Sequence, residues 1–327
     1  PAGRATIQTC AAALGLTVSS SLGATLMIVT VAACSIFNMA IKTGAAQNLI
    51  SLNFMQQAFG HAVTWGGWFV TALPFTIGMC VVLYLAAMAI LRPQVPGRDQ
   101  AEARLAEELA KLGPVSPAER RLMLVAGLLL LLWSTEGMLH PLDTTTTTLI
   151  GLALLLMPRI GVMHWTQAEK QVPWGTIILF AAGISLGTLM ATTGAAAWLA
   201  QVTLGRMGLS GLPVFAVVGA LSLFSIVLHL GFASATGLAS TLIPIMIAFA
   251  QTLPVGRETA FGIVLIQSFV VSFGFILPTN APQNMLCYGT GAFSIAQFAK
   301  VGVVVTIAGW ALIVLLAATL WPMMGVL

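Results

Sequence analysis

The sequence predicts an all-α membrane protein with several spans, and three observations support this fold class. Hydrophobic residues make up 58% of the 327 residues, whereas charged residues make up only 7%. Apolar runs of roughly 20 residues, the length that carries a helix across a bilayer, recur along the chain. Half of the charged side chains lie between Arg92 and Arg121. These observations exclude a soluble enzyme, a nucleic-acid binder and a disordered chain, all of which carry far more charge.

The apolar runs mark the candidate helices in chain order, with ends defined by Pro, Gly or charge. They lie near residues 7–20, 22–41, 66–91, 122–139, 145–163, 174–200, 212–230, 235–253, 259–277 and 301–325. The chain begins at Pro1 without an initiator methionine or a leader, so we expect it to be truncated at its N-terminus. The four cysteines are scattered in apolar runs without metal-ligand spacing, and no cofactor other than a coupling ion is expected.

The charged stretch 92–120 is predicted to connect two halves of the chain on the cytoplasmic side. Six of the 13 Lys and Arg residues lie between Arg92 and Arg121, and an excess of basic residues marks cytoplasmic loops. Leu105, Leu109 and Leu112 share one helical face, which predicts an amphipathic helix on the lipid surface. A helix that binds a protein partner is the alternative.

Two segments are too interrupted to be ordinary spans. The run 212–253 is divided by the small and hydroxyl-bearing residues 231–237, which predicts a re-entrant hairpin. The run 259–298 is divided by Pro278–Asn284, which predicts a broken helix. Irregular backbone at membrane depth is tolerated only where it lines a cavity or is covered by protein. We therefore expect both breaks to border a functional site.

The second break has a copy near the start of the chain. Lys42–Asn48 matches Pro278–Asn284 at a constant offset along the chain, and the shared pairs are Thr43/Thr279, Ala45/Ala281, Gln47/Gln283 and Asn48/Asn284. The sequence thus divides into the remainder of a first repeat at 1–91, the connector at 92–120 and a second repeat at 121–327. Repeated broken helices indicate a secondary transporter with its site at these breaks.

The residues at the breaks suit both an anion and a sodium ion. Helix starts offer N–H groups and a positive dipole end to an anion, while hydroxyl, amide and carbonyl oxygens suit sodium. Helix caps and interhelical hydrogen bonds are the alternative role of such residues. The predicted substrate-binding residues are Ser234, Thr236, Thr279, Asn280, Asn284, Thr43, Gln47 and Asn48, and the candidate sodium positions are Ser234, Gly237, Asn284, Gly44 and Asn48.

These motifs resemble those of the divalent anion:sodium symporter family. Ser234-Ala235-Thr236 before Pro244-Ile245 is similar to the family's hairpin-tip motif, in which Asn stands at the Ala235 position. The two loops resemble the family's Pro- and Asn-containing helix breaks, with Ala46 in place of a proline. The helix that begins at Trp174-Gly175 and continues with Phe180, Gly183, Leu186 and Gly187 is a further match.

The resemblance implies an inverted-repeat fold that works as an elevator, normally as a homodimer in the bacterial cytoplasmic membrane. It assigns 66–91 and 301–325 to a stationary scaffold. The implied activity is transport of a small dianion, such as a dicarboxylate, citrate or sulfate, coupled to sodium. A membrane enzyme or an ion channel is the alternative from another class, but no nucleophile with a nearby base emerges from the sequence.

Three cationic or titratable residues lie beside the motifs: Arg4, Lys42 and His229. A charge inside a membrane segment is costly, so it usually faces a cavity or a partner. Our hypothesis is that one of them supplies fixed positive charge to the substrate and replaces a sodium ion, as in a sodium-independent anion exchanger. Snorkelling of Arg4 and Lys42 to the interface, and an ordinary hydrogen bond for His229, are the alternatives.

Overall fold

The computed structural model describes residues 21–94, 106, 110, 113–158, 161–172 and 174–327. Within these residues the regular structure is helical, which confirms the prediction of an all-α membrane protein. Three helices there are long and apolar enough to cross a bilayer: Ser21–Ala40, Trp65–Leu91 and Ile295–Met323. The predicted helix at 7–20, Arg4, and most of the connector 92–120 lie outside the described residues.

The helices are numbered in chain order. The longer ones are α1 (Ser21–Ala40), α2 (Ala46–Phe59), α3 (Trp65–Leu91), α4 (Pro117–Ser134), α5 (Thr144–Leu156), α6 (Trp165–Gln171), α7 (Trp174–Thr192), α8 (Ala195–Val202), α9 (Val214–His229), α10 (Ala235–Ala250), α11 (Arg257–Val270), α12 (Pro282–Tyr288), α13 (Ile295–Ala318) and α14 (Leu320–Met323). Short 3₁₀ turns occupy Lys42–Gly44, Leu204–Met207, Leu209–Gly211 and Pro278–Asn280.

Side-chain caps explain where several helices begin. Ser116 and Glu119 form a reciprocal capping box at the start of α4, and the hydrogen bonds from Ser116 lower the pKa of the Glu119 carboxyl. The Asp143 carboxylate accepts a hydrogen bond from Thr146 N at 2.8 Å and caps α5. The Ser234 hydroxyl likewise accepts from Gly237 N at 3.3 Å and caps α10.

The predicted span 174–200 is wrong as a single helix. The segments Ile177–Thr192 and Ala195–Met207 meet at an angle of 77°. The turn lies at Gly194, whose φ of 77° is in the left-handed region that favours glycine and ends helices. Apolar composition continues through this turn, so the sequence pattern alone did not reveal it.

The long helix α3 packs against α1 and α13, and α13 packs in turn against α9. Two buried indoles add hydrogen bonds to the packing of α3: Trp68 Nε1 donates to Met39 O on α1 at 2.9 Å, and Trp321 Nε1 on α14 donates to Thr71 O at 3.0 Å. The helices that the resemblance assigns to a scaffold therefore contact the helix before the first break and the first arm of the hairpin. Whether they move with those elements stays a prediction.

The predicted hairpin 212–253 consists of two arms of 16 residues each, α9 and α10. Each arm is about 24 Å long, shorter than the roughly 30 Å hydrocarbon core. The next helix, α11, packs against both arms. α10 also packs against α2, α7 and α8, so the hairpin lies beside the break between α1 and α2.

Candidate functional site

The two helix breaks have the same backbone conformation. Ala45 and Ala281, which precede α2 and α12, have φ/ψ angles of −150°/147° and −148°/143°. Ile41 and Leu277, which precede the two 3₁₀ turns, are also both extended, at −107°/116° and −114°/139°. The similarity between the repeats therefore extends from sequence to local structure. We call residues 41–48 the first loop and residues 277–284 the second loop.

An asparagine at the end of each loop holds it in shape. Asn48 Nδ2 donates to Asn38 O at 2.7 Å and to Ile41 O at 3.0 Å. Asn284 Nδ2 donates to Gly274 O at 2.7 Å and to Leu277 O at 3.5 Å. Donors and acceptors are related by the same offset along the chain. The buried side chains tie each helix start to the end of the preceding segment and satisfy backbone carbonyls there.

The oxygen atoms of the same two side chains are left without a partner. Asn48 Oδ1 and Asn284 Oδ1 are buried, and no hydrogen bond reaches either of them from the part of the chain that the structure describes. Buried polar atoms are nearly always satisfied, so two such exceptions at equivalent positions need an explanation. An acceptor with no donor is suited to a cation.

The glutamine before each asparagine bonds across to the other repeat. Gln47 Nε2 donates to Ser272 Oγ at 3.0 Å, and Gln283 Nε2 donates to Ser35 Oγ at 3.1 Å. Ser35 lies on α1, whereas Ser272 closely follows α11. The two bonds thus connect the repeats reciprocally and bring the loops together.

A cavity of about 230 Å³ lies where the two loops meet the tip of the α9–α10 hairpin, and we call it the loop cavity. Five predicted residues line it: Gly44, Gln47, Ser234, Thr236 and His229. Other residues at the starts of α2 and α10 line it as well. The structure therefore brings the first loop, the second loop and the hairpin tip into one polar site.

Asn280, Asn48 and Asn284 are buried behind the loop cavity and do not line it. Asn280 Nδ2 donates to His229 O at 2.7 Å and to Phe232 O at 3.1 Å. It therefore ties the second loop to the hairpin tip. On this geometry the three asparagines position the loops and the tip, and they contact a bound anion only if the site rearranges.

Thr43 and Thr279 lie away from the loop cavity. Thr279 is exposed, and Thr43 accepts a hydrogen bond from Trp65 Nε1 at 3.4 Å. Thr43 lines another cavity of about 650 Å³ beside α2, α5 and α7, which we call the side cavity. The shared threonine thus marks the repeat but does not face the loop cavity in either copy.

Lys42 also faces the side cavity, where its charge is balanced. Its Nζ donates to Thr144 Oγ1 at 2.9 Å and lies 3.7 Å from Glu136 Oε2. The Glu136 carboxylate further accepts from Trp65 N at 2.6 Å and from Thr144 N at 2.9 Å. Only 12% and 11% of the Lys42 and Glu136 side chains are exposed. Lys42 therefore connects the first loop to α3, to α5 and to the segment after α4.

Of the two cationic candidates that the structure describes, His229, at the end of α9, borders the loop cavity. The residue is 1% exposed, and Nε2 lies 3.4 Å from Asn280 O. Nδ1 has no hydrogen-bond partner among the described residues. This nitrogen is available to bond with a ligand.

Several residues that line the loop cavity are not among the predicted site residues: Ser35, Asn38, Ser272, Gly274 and Gln283. Gln283 could have been found, because it is the repeat counterpart of Gln47. Ser35 and Ser272 lie one position out of register with the other shared pairs, so the repeat alignment does not match them. Their role depends on how the helices pack, which the alignment does not contain.

A polar cavity at two equivalent helix breaks inside a helical membrane protein is the arrangement typical of secondary transporters. The comparison with known families agrees. The family described as "Sodium:sulfate symporter transmembrane region" matches residues 5–327 of this chain. The chain therefore belongs to this family of divalent anion:sodium symporters. Both the family and the named relatives with a stated activity are transporters and not enzymes.

Curated relatives cover nearly the whole chain. A "Membrane protein" of Cupriavidus necator is 46% identical over 317 residues, which are 96% of this chain and 61% of the relative. The "L-tartrate/succinate antiporter" of Escherichia coli K12 and that of Shigella dysenteriae are each 28% identical over 308 residues, which are 93% of this chain and 61% of each relative. The chain thus spans about three fifths of the length of these relatives.

Proposed function

We propose that this chain carries the substrate cavity of a secondary transporter that moves a small dicarboxylate across the bacterial cytoplasmic membrane. The observation that carries the proposal is the loop cavity between the two helix breaks. Its volume is below the roughly 300–1,000 Å³ of pockets for drug-sized ligands, which suits a molecule of a few carbon atoms. The relatives named as L-tartrate/succinate antiporters support this substrate class. Sulfate and citrate are the alternative substrates within the family.

The starts of α2 and α10 supply the attraction for carboxylates. Both helices begin at the loop cavity, and the first N–H groups and the positive end of each helix dipole favour an anion there. Thr236 adds a side-chain donor, and Ser234 caps α10. Ala235 occupies the place of the family's asparagine and offers no side-chain hydrogen bond, so more of the binding falls to the backbone and to these neighbours.

Sodium coupling is supported by the two unpartnered asparagine oxygens. Asn48 Oδ1 and Asn284 Oδ1 are uncharged acceptors of the kind that hard cations prefer. In this proposal they hold one sodium ion at each loop, with further oxygens from Gly44, Ser234 and Gly237. A bound cation supplies positive charge beside the anion and makes its binding dependent on sodium.

Exchange without sodium is the second candidate, and His229 is the observation that favours it. A protonated His229 at the wall of the loop cavity would balance part of a dianion's charge. The relatives named as antiporters point the same way. Lys42 is a weaker candidate for this role, because Glu136 already neutralises it beside the side cavity. Arg4 lies outside the described residues.

Uptake of labelled succinate, citrate and sulfate into proteoliposomes tests the function. Sodium is imposed outside or replaced by choline, with and without an internal dicarboxylate. Symport requires uptake that depends on sodium, whereas exchange requires the internal dicarboxylate and no sodium. Absence of uptake of all three anions under every condition would reject the proposal.

Thr236→Val tests whether the loop cavity is the site. This substitution keeps the side-chain volume and removes a donor at the cavity, so we expect the KM for succinate to rise about tenfold. Thr252→Val, just beyond the other end of the same helix and away from the loop cavity, is the matched control. Equal KM values for the two variants would place binding elsewhere.

The inverted relation of the repeats, the elevator movement and the homodimer are proposals of the same kind. The reciprocal Gln47–Ser272 and Gln283–Ser35 bonds support a two-fold relation between the repeats. Cross-linking in native membranes, followed by mass measurement in detergent, tests the dimer. A single-subunit mass at all protein concentrations would contradict it.

A further inference from the structure

The two glutamine–serine pairs have hydrogen-bonding capacity that the fold does not use. Gln47, Ser272, Gln283 and Ser35 all line the loop cavity. Gln47 Nε2 and Gln283 Nε2 each donate to one serine, but within the described residues no hydrogen bond reaches Oε1 of either glutamine. Each amide therefore keeps an acceptor and a second N–H for another partner.

The two serines differ in whether their hydroxyl group donates a hydrogen bond. Ser35 Oγ donates to Val31 O, at a long 3.4 Å. Ser272 Oγ accepts from Gln47, and in the described ranges no acceptor takes its proton. Ser272 is 5% exposed and Gln47 is 8% exposed, so bulk water reaches neither side chain well. Nearly buried polar groups with spare capacity indicate a ligand that completes their bonds.

The chemistry of these pairs fits an alcohol better than a carboxylate. A carboxylate only accepts hydrogen bonds, so it would repel the free amide Oε1. A hydroxyl group both donates and accepts, and it can therefore satisfy the Oε1 acceptor together with an N–H or O–H donor of the same pair. The carboxylates of a substrate are already served by the starts of α2 and α10. The glutamine–serine pairs are therefore free to bond with groups on the carbon chain between the two carboxylates.

We propose that the Gln47–Ser272 and Gln283–Ser35 pairs recognise hydroxyl groups on the carbon chain of the substrate. Because the glutamines hold equivalent positions in the two repeats, the site is suited to a four-carbon dicarboxylate with a hydroxyl on each inner carbon. This inference rests on the proposed function and sharpens its substrate class. It makes the glutamines substrate-contacting residues that determine specificity.

Competition with labelled succinate uptake is the first test. The unlabelled competitors are succinate, malate with one hydroxyl, and tartrate with two. For the unmodified protein we expect the inhibition constant to fall in that order. A site built to bond a hydroxyl discriminates strongly against an analogue that lacks it, because its own polar groups are then left unpaired. An inhibition constant that rises in that order would overturn the inference.

Gln47→Met and Gln283→Met test the residues. Each variant keeps the side-chain volume and removes one amide, so tartrate should lose about tenfold in apparent affinity while succinate changes less than about threefold. Ser272→Ala is the smaller second variant if a methionine variant fails to fold. Gln57→Met is the matched control, since Gln57 is exposed on α2 and bonds with Asn53 outside the loop cavity.

The outcomes separate this inference from the function beneath it. Succinate uptake with equal losses of tartrate and succinate affinity in the glutamine variants would overturn the inference and leave dicarboxylate transport standing. Absence of any dicarboxylate uptake by the unmodified protein would overturn both. Stabilisation of the detergent-solubilised protein against heat by tartrate more than by succinate, lost in Gln47→Met, would support the inference through binding alone.

Discussion

The first and second loops share their internal hydrogen bonds but are held in place by different forces. Each has an extended residue, a 3₁₀ turn, a second extended residue and an asparagine that bonds backward at the same spacing. Outside this shared core they diverge. The first loop is attached through a charge pair, whereas the second is attached through close helix packing. The repeat thus keeps the geometry that shapes the loop cavity and leaves the support of each loop to its surroundings.

At the first loop the support is the bond network of Lys42. The ammonium group contacts Thr144 and Glu136, and the carboxylate reaches the start of α3 through Trp65 N. The corresponding position of the second loop is Pro278, which has no side-chain charge and is buried. The ion pair is therefore an addition to one repeat only.

At the second loop the support is α13. A Cβ built on Gly302 would lie 1.9 Å from Phe275 O, in the segment just before the second loop. Gly66 lies near the start of α3, the helix that follows the first loop and α2, and a Cβ there would lie 3.6 Å from Ser134 O, an ordinary contact. A glycine is thus needed for close approach at Gly302 and not at Gly66.

Lys42→Met should have the largest effect on stability. It leaves the Glu136 carboxylate nearly buried without its cation, and breaking a buried pair in this way costs about 3–5 kcal/mol. Thermal unfolding in detergent measures the loss, and Lys300→Met at an exposed position of α13 is the control. Adding Glu136→Gln to Lys42→Met should recover part of the stability. No recovery would mean that Lys42 acts through packing and not through its charge.

Gly302→Ala should have the next largest effect on stability, a fall of about 3 kcal/mol in the free energy of unfolding. The added methyl group would meet backbone, which cannot move aside as a side chain can. Gly66→Ala on α3 should change stability by less than about 0.5 kcal/mol. Unfolding of both variants in the same detergent checks this contrast. Similar losses at the two positions would show that the support of the loops is more symmetric than the structure indicates.

Asn48→Ala and Asn284→Ala test the internal hydrogen bonds that the two loops share. Because these bonds are equivalent, the two variants should lose similar stability. Each variant removes two hydrogen bonds and leaves two backbone carbonyls without that donor. The free energy of unfolding of each variant should therefore fall by about 2 kcal/mol. Asn53→Ala, which breaks one exposed hydrogen bond to Gln57, is the control.

The asparagine variants also test the proposed cation sites. If Asn48 Oδ1 and Asn284 Oδ1 hold sodium, the sodium concentration that gives half-maximal uptake should rise in both variants. A change in stability with unchanged sodium dependence would restrict these residues to a structural role. Losses that differ by more than about 1 kcal/mol would break the equivalence of the two loops.

Local patterns in the sequence predicted much of the helical framework. α1 and α3 begin and end close to the predicted runs, and the repeated residues mark the two loops. Such features depend on a few neighbouring residues. The bend at Gly194 was missed, because a single glycine within an apolar run is compatible with either a continuous helix or a turn.

The parts of the site that depend on distant residues could not be predicted. The Lys42–Glu136 pair and the Gln283–Ser35 bond join separate repeats or elements, and no local pattern selects one serine or one glutamate among several. The match between the repeats identifies equivalent loop residues but does not show which side of the loop they occupy. The sequence therefore predicts Thr43 and Thr279 together with Ser234 and Thr236, although both threonines lie away from the loop cavity.

Thr43→Val and Thr279→Val should have the smallest effects. They test whether these threonines bind substrate, as the sequence predicts, or lie outside the site, as their positions in the structure indicate. The sequence predicts that both threonines bind substrate, whereas the structure has Thr279 at an exposed position and Thr43 beside the side cavity. Valine keeps the shape and removes only a hydroxyl, so stability should change by less than about 0.5 kcal/mol. If the loop cavity is the whole site, the KM for succinate should also stay unchanged in both variants.

If the KM does change, the variants in which it changes would show which cavity contacts the substrate. A tenfold rise in both threonine variants would mean that the two loops turn their other sides to the substrate in another state of the transport cycle, so the equivalence of the loops would extend to binding. A rise for Thr43→Val alone would instead assign the side cavity to the substrate's path, with Lys42 and Glu136 at its wall. The charge pair that distinguishes the first loop would then act on the substrate as well as on the fold.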